Sequence, residues 1–479
     1  MILRFLKSFW GYQDATNVVG YYPEAPKEAP SIPKELKDLD QSFFFGNRVV
    51  VDPAMALHLL KTTSDPLRTV WVFRYYDLDD RKFKVYGDAL RRLIDFIQAL
   101  GVVRTGGKPR VNIIAHSMGG LLVREVVQKT YPAEGLRAED FINKIVTLGT
   151  PHQGISFQIL KSWIPIGAEQ EIEHFNPTFQ GDPKEQVSYK NFSKYFPTQR
   201  LLTVVGTNYK TYDVGVASRM NRLFSVAGEF GLNYNRSDGL VKQTNAQVPG
   251  APRTFVNKCH GGFDSLVTAR ESFEIATRFF FGNIQARLRM VRAEITRGKD
   301  WFGKSEFFFG VSIKPRRVDF DLFHQSAEAE NCYGPFSQAD LSDDAAFSWA
   351  GDERLIWEGY LDTSPILKDD SITPKDMVLR LDFYVGERDV YGVGFSDNVI
   401  FRKQYYVRAL LEHPLRLFIH TDERFAMDGY LPDSKDLMAV EDGGWEFDVN
   451  GTGFSGRFRV ELDDVPEQGE PTPIKGATS

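Results

Sequence analysis

Only two cysteines, Cys259 and Cys332, occur among 479 residues. So few exclude a disulfide framework and a cysteine-built zinc site. A single bridge between the two has nothing in the sequence to support it. Charge of one sign is also lacking. The chain has 58 basic and 64 acidic residues, a net charge of −6, so no basic excess favours nucleic acid as a partner. No apolar run is long enough to span a bilayer. The first ten residues, MILRFLKSFW, are apolar and basic but too short for a secretion signal, and no small-residue cleavage site follows. The expectation is therefore a cytoplasmic protein, with export without a cleaved signal as the alternative.

What is present is a hydrophobic content of 42%, enough for sizeable cores, and a length that suits two domains. The most telling stretch is VNIIAHSMGG, residues 111–120. Val111, Ile113 and Ile114 form a short apolar run that reads as a buried strand. Ala115, His116, Ser117, Met118, Gly119 and Gly120 follow as a tight turn of mostly small residues. Leu121, Leu122, Val123, Val126 and Val127 then trace an apolar helix expected to stop before Pro132. Strand, pinched turn with a central serine, then helix is the setting of a nucleophile elbow. Ala115 stands where glycine is usual, so the turn is expected to be crowded. This geometry lifts Ser117 Oγ above the sheet and aims the Met118 N–H at the group the serine attacks.

Around the elbow the chain alternates strand and helix. Residues 1–10 read as a strand or an amphipathic turn, and Phe43–Val51 as strand or surface support. A helix is expected over Pro53–Lys61, with Asp52 as its N-cap and Pro53 in its first turn. Thr69–Tyr76 reads as a strand, Asp88–Leu100 as an amphipathic helix, and Ile142–Leu148 and Leu201–Gly206 as strands. Residues 155–199 interrupt this rhythm with aromatics, forming either a cap over the site or a loop that completes the core. Ser265–Arg297 reads as largely helical and Gly298–Lys304 as a linker. From Ser305 to about Asp463, six segments have strand character: FFFGVSI, LIWEGYL, VLRLDFYV, YYVRALL, LRLFIHT and GRFRVEL. The expected fold is thus an α/β domain with a mostly parallel sheet over residues 1–304, carrying the insertion. An all-β, sandwich-like domain over 305–464 and a disordered tail over 465–479 complete it.

A serine hydroxyl needs a base, and the base needs an orienting acid. His260, in the loop after the strand Thr254–Val256, has the position expected of the base. His174 lies in the insertion and His324 in the β domain. His152, in the TPHQG turn with Thr150, lines the site or pins the turn. Asp238, in the turn dipeptide Asp238-Gly239, is the candidate acid, 22 residues before His260. Asp213 and Asp264 are its rivals, and simple turn chemistry is the alternative role for Asp238.

Together IIAHSMGGLLVR, TLGTPHQG, SDGLV and the His260 loop resemble the lipase-like α/β hydrolases. They come nearest to bacterial triacylglycerol lipases and the GPI inositol-deacylase-like branch. The resemblance spans about residues 69–280 and implies an α/β-hydrolase fold, with Ser117 as nucleophile, Asp238 as acid, His260 as base and Met118 as oxyanion donor. It departs from the family in two places. The usual His-Gly pair after an early strand is missing, and Trp10-Gly11 is the nearby substitute for the second oxyanion donor. The β domain after residue 305 is not placed by the resemblance. Some relatives hold a calcium ion near the histidine, but Asp264 alone does not make such a site.

The function expected is hydrolysis of a carboxylic ester with an apolar acyl chain, without cofactor or metal. A lipid or other ester is the partner, and peripheral membrane contact is compatible with it. Acyl transfer or thioester cleavage is one alternative. A catalytically silent hydrolase fold used for binding is another.

Overall fold

The N-terminal segment coils into a short helix, α1 (Ile2–Lys7), that buries Phe5; the strand or turn expected there does not form. The structure is a computed structural model. It describes residues 1–8, 11–63, 65, 68–74, 82–154, 174–176, 189–209, 237–295, 305–326, 331–336, 354–389, 398–412, 414–441 and 443–465. Trp10, Asp213, most of the insertion, the linker and nearly all of the tail lie outside these residues. Two units divide the chain, Met1–Leu201 and Leu202–Pro466.

In the first unit, β1 (Gln13–Ala15), β2 (Val19–Tyr21) and β3 (Val49–Val51) are three-residue strands. Only the end of Phe43–Val51 is therefore a strand. Phe43 and Phe44 instead pack edge-on against Phe96, with centroids 5.5 and 5.9 Å away. Helix α2 (Pro53–Thr62) starts where its signals place it: the Asp52 carboxylate accepts the Met55 N–H at 2.8 Å. Strand β4 (Thr69–Trp71) is shorter than expected and pairs in parallel with β1. Helix α3 (Phe83–Thr105) begins before Asp88 because Phe83 and Tyr86 extend its buried face, and it ends at left-handed Gly106.

Strand β5 (Val111–His116) leads through Ser117 into α4 (Met118–Glu125). The helix does not stop before Pro132. A π-helical turn over Val126–Thr130 intervenes, and a last short turn, α5 (Tyr131–Ala133), contains the proline. Proline brings no N–H and its ring crowds the carbonyl four residues back. Widening the preceding turn, with Tyr131 N–H reaching Val126 O, lets the helix run through it. Strand β6 (Ile142–Leu148) pairs in parallel with β5, with Ala115 opposite Thr147.

In the second unit, β7 (Leu201–Gly206) and β8 (Arg253–Val256) are also parallel. Ser265–Arg297 is not largely helical. Helix α6 covers Arg270–Phe281, and Ile284–Ile295 is a strand, β9. Beyond Gly282-Asn283 the pattern changes period: Ile284, Ala286, Leu288 and Met290 are buried, while the residues between them face outward. Nine further strands follow: β10 (Ser305–Pro315), β11 (Tyr333–Phe336), β12 (Leu355–Leu361), β13 (Asp376–Asp389), β14 (Asn398–Leu410), β15 (Arg416–His420), β16 (Ala439–Glu441), β17 (Gly444–Gly451) and β18 (Phe454–Asp464). They form two antiparallel five-stranded sheets with β9, ordered β11-β10-β13-β14-β15 and β12-β9-β18-β17-β16. Aromatics join their faces. Phe309 stacks on Phe458 at 5.7 Å, and Phe383 lies 4.8 Å from Phe458 and 6.3 Å from Phe447. The sandwich is thus filled by strand phenylalanines, each such pair adding about 0.5–1.5 kcal/mol beyond its area. The fold class is α/β hydrolase-like with parallel strands, followed by antiparallel sheets.

Candidate active site

Ser117 sits between β5 and α4 with φ 54° and ψ −130°. A non-glycine residue rarely adopts this conformation, and holding it costs on the order of 1–3 kcal/mol. Neighbours hold it there. The Ser117 N–H donates to Leu148 O at 3.0 Å, Gly120 N–H donates to Ser117 O at 3.0 Å, and Thr150 Oγ1 donates to the same carbonyl at 2.8 Å. Gly120 is required by this grip, because a β-carbon there would lie 2.2 Å from Thr150 Oγ1. A β-carbon at Gly119 would meet the Ala115 methyl at 4.0 Å, an ordinary contact. His116 is the half-buried last residue of β5, and Met118 is the first residue of α4. The Met118 N–H therefore belongs to the unpaired first turn of a helix. Gly11 adopts φ 67° and its N–H donates to Ser8 O at 3.2 Å.

His152 is buried deep in the same unit. Its Nε2 is 2.9 Å from Thr147 Oγ1, while Nδ1 has no hydrogen-bond partner among the described residues. Burial, aided by the nearby Arg124 charge, pushes its pKa well below the usual 6.5. The ring is thus neutral in the folded protein. As pH falls below about 6.5, the unfolded chain takes up a proton that the folded ring refuses, so stability falls with pH. We expect urea unfolding to show a loss of about 1 kcal/mol per pH unit below that point. His152→Gln should flatten this slope, and equal slopes would refute the assignment.

In the second unit, Asp238 and His260 are 1% and 4% exposed. The Asp238 carboxylate serves two purposes. Its Oδ1 accepts the Leu240 and Val241 N–H groups at 3.0 and 2.7 Å, and Oδ2 lies 2.8 Å from His260 Nδ1. Turn chemistry and an imidazole partner are therefore not alternatives here. With the carboxylate oxygen accepting, Nδ1 is the donor, and in a neutral imidazole that tautomer leaves the Nε2 lone pair available. The backbone repeats the link, with His260 N–H donating to Asp238 O at 2.8 Å. Gly206, ending β7, permits this meeting: a β-carbon there would lie 2.6 Å from Asp238 Cβ and 2.8 Å from Lys258 O. Strand β8, which leads to the His260 loop, is supported by the sandwich. Thr254 Oγ1 donates to Leu322 O at 2.8 Å and Phe255 stacks on Phe323 at 5.5 Å.

The rival positions stand differently. Asp264 is engaged at the surface by Lys258 Nζ at 2.7 Å. His324 lies 2.9 Å from Asp321 and is part-exposed. His174 lines a pocket with Glu125, Lys129 and Tyr189. Cys259 and Cys332 are both buried free thiols, so no bridge joins them. Among the described residues no group of three or more His, Cys, Asp or Glu is gathered to hold a metal, and no helix is long and apolar enough to cross a membrane. Of the insertion's described aromatics, Phe175, Tyr189, Phe192 and Phe196 are buried and Tyr195 is half-buried.

Sequence reasoning missed Arg124 and Gly206. Arg124 carried a signal: a charge amid the otherwise apolar Leu121–Val127.

A strained serine thus stands between a parallel strand and a helix. This chain carries a lipase-like α/β hydrolase domain, and residues 58–164, which span the elbow and the TPHQG turn, match the model of the PGAP1-like alpha/beta domain. No curated protein matches the chain. Among solved structures, the mature form of Bacillus licheniformis lipase BlEst2 is 16% identical over 40% of this chain and 71% of that one, with a TM-score of 0.26. The propeptide form is 12% identical over 84% and 98%, with a TM-score of 0.29. Likeness of this degree does not define a fold or an activity.

Proposed function

We propose that the protein is a serine-dependent hydrolase of carboxylic esters with an apolar acyl chain. Ser117 Oγ attacks the acyl carbonyl as His260 Nε2 takes its proton, and Asp238 steadies the imidazolium. The tetrahedral intermediate expels the alcohol, which leaves with that proton, and an acyl-enzyme remains. Water then attacks the ester carbonyl, giving its proton to His260; the acid departs and the serine is restored. Met118 N–H is the oxyanion donor; the Trp10-Gly11 segment is the proposed second source, and the Gly11 N–H would have to exchange its bond to Ser8 O for the oxyanion. The observation that carries this reading is the strained Ser117 backbone, held by Leu148, Gly120 and Thr150; strain of this kind concentrates at functional sites. An apolar substrate is favoured by the lipase-like class and by Phe263, which is 99% exposed three residues after His260. Membrane contact through such a residue is part of the same proposal.

The test is a fluorophosphonate probe with a series of p-nitrophenyl esters of increasing chain length. Labelling confined to Ser117, with turnover rising with acyl length, is expected. A protein neither labelled nor active on any ester would refute it. Products formed with added alcohols or thiols separate hydrolysis from acyl transfer.

A further inference from the structure

We infer that Arg124 is a positioning residue for the nucleophile, closing a ring of bonds that keeps Ser117 in its strained conformation. This rests on the serine-hydrolase reading above. The ring runs from Ser117 along α4 for two turns to Arg124. From there Nη1 donates to His152 O at 2.7 Å, His152 N–H donates to Thr150 O at 2.8 Å, and Thr150 Oγ1 returns to Ser117 O at 2.8 Å. The other guanidinium nitrogens face the insertion's return and the next helical turn. Nη2 donates to Tyr189 O, and Nε to Gln128 Oε1 at 2.8 Å. The Phe175 ring lies 4.8 Å from the guanidinium carbon.

Packing does not account for an arginine here. Its neighbours Leu121, Leu122, Val123 and Val126 are all buried, and Arg124 is only 5% exposed. Among the described residues no carboxylate bonds it; its acceptors are two backbone carbonyls and an amide. A buried cation without an acid partner is costly, and burial pulls its pKa down to about 9. An apolar side chain would suit this helix face better. What a guanidinium adds is several donors in one rigid plane. Here the plane fixes the TPHQG turn and residue 189 relative to the helix that starts at the nucleophile. Without it, the turn that grips Ser117 O loses its outer anchor, and the serine is free to relax.

The experiment compares Arg124→Ala and Arg124→Lys with the parent, as full-length chains whose folding is checked by near-UV circular dichroism and thermal unfolding. The readouts are kcat and KM on a short, soluble p-nitrophenyl ester and the rate of fluorophosphonate labelling. A small displacement of a reacting group costs up to about a hundredfold, so kcat and labelling rate should fall together by about tenfold to a hundredfold with KM little changed. Arg124→Lys should be intermediate, and added ethylguanidinium should restore part of the labelling of Arg124→Ala. Combining Arg124→Ala with Thr150→Val should cost little more than the larger single loss, because both act through one ring. Folded variants that label and turn over like the parent, additive losses, or failure of both variants to fold would each overturn the inference. An unlabelled parent would instead sink the hydrolase reading, and this inference with it.

Discussion

Ser117→Ala is expected to lower ester turnover by about 10⁶-fold and to abolish fluorophosphonate labelling, while leaving the fold intact. Loss on that scale is what removal of an activated serine costs when base and acid remain without a nucleophile. Alanine keeps a β-carbon, so it inherits the φ of 54° and the strain with it, and stability should scarcely change. Ser117→Gly separates strain from chemistry. Glycine accepts a positive φ freely, and relief of roughly 1 kcal/mol should raise the unfolding temperature of a protein equally inactive. Residual turnover of Ser117→Ala near the parent level would end the mechanism. A Ser117→Gly protein less stable than the parent would mean that the serine side chain contributes contacts outweighing its strain.

Asp238→Asn is the second large effect. The amide oxygen can still accept the Leu240 and Val241 N–H groups that Oδ1 accepts now, so the turn should survive. Its NH₂, turned toward His260 Nδ1, offers a donor where an acceptor is needed and forces the imidazole into the other tautomer. The corresponding change in a serine protease lowers kcat by about 10⁴, and a loss of that order is expected here with little change in stability. Asp238→Ala loses both functions and should also cost about 1–2 kcal/mol of stability, for the turn bonds. Asp264→Asn should stay near the parent, because that carboxylate is occupied by Lys258 at the surface. If instead Asp264→Asn were the damaging change and Asp238→Asn mild, the acid would have to be reassigned.

Local patterning was enough for the frame of this protein. Asp52-Pro53 marks a helix start whatever surrounds it, since cap and ring constraints act within one turn. Val111–His116 followed by Ser117, the glycines and an apolar helix reads as strand, elbow and helix because each step rests on neighbouring residues. The strands LIWEGYL and Ile142–Leu148 coincide with β12 and β6 for the same reason. Where two patterns abut, the reading failed. The helix of α6 and the alternation of β9 are separated only by Gly282-Asn283, and the longer period was carried across the break. Pro132 misled in the opposite sense, because a π turn absorbs what a regular helix cannot.

The rest was decided by tertiary structure, because it depends on groups distant in sequence that meet only once the chain is packed. The Asp238–His260 bond joins residues 22 positions apart, and Gly206, a third element, determines whether their backbones can approach. Arg124 read as one charge in an apolar helix. Its role emerged only when residues 28 and 65 positions away brought their carbonyls to it. Sequence periodicity constrains each residue's own dihedrals and burial, and so it determined the elements and the elbow. Which side chain a buried donor reaches is set by the packing of whole elements, and that is why the bonds that orient the imidazole and clamp the serine could be read only from the folded chain.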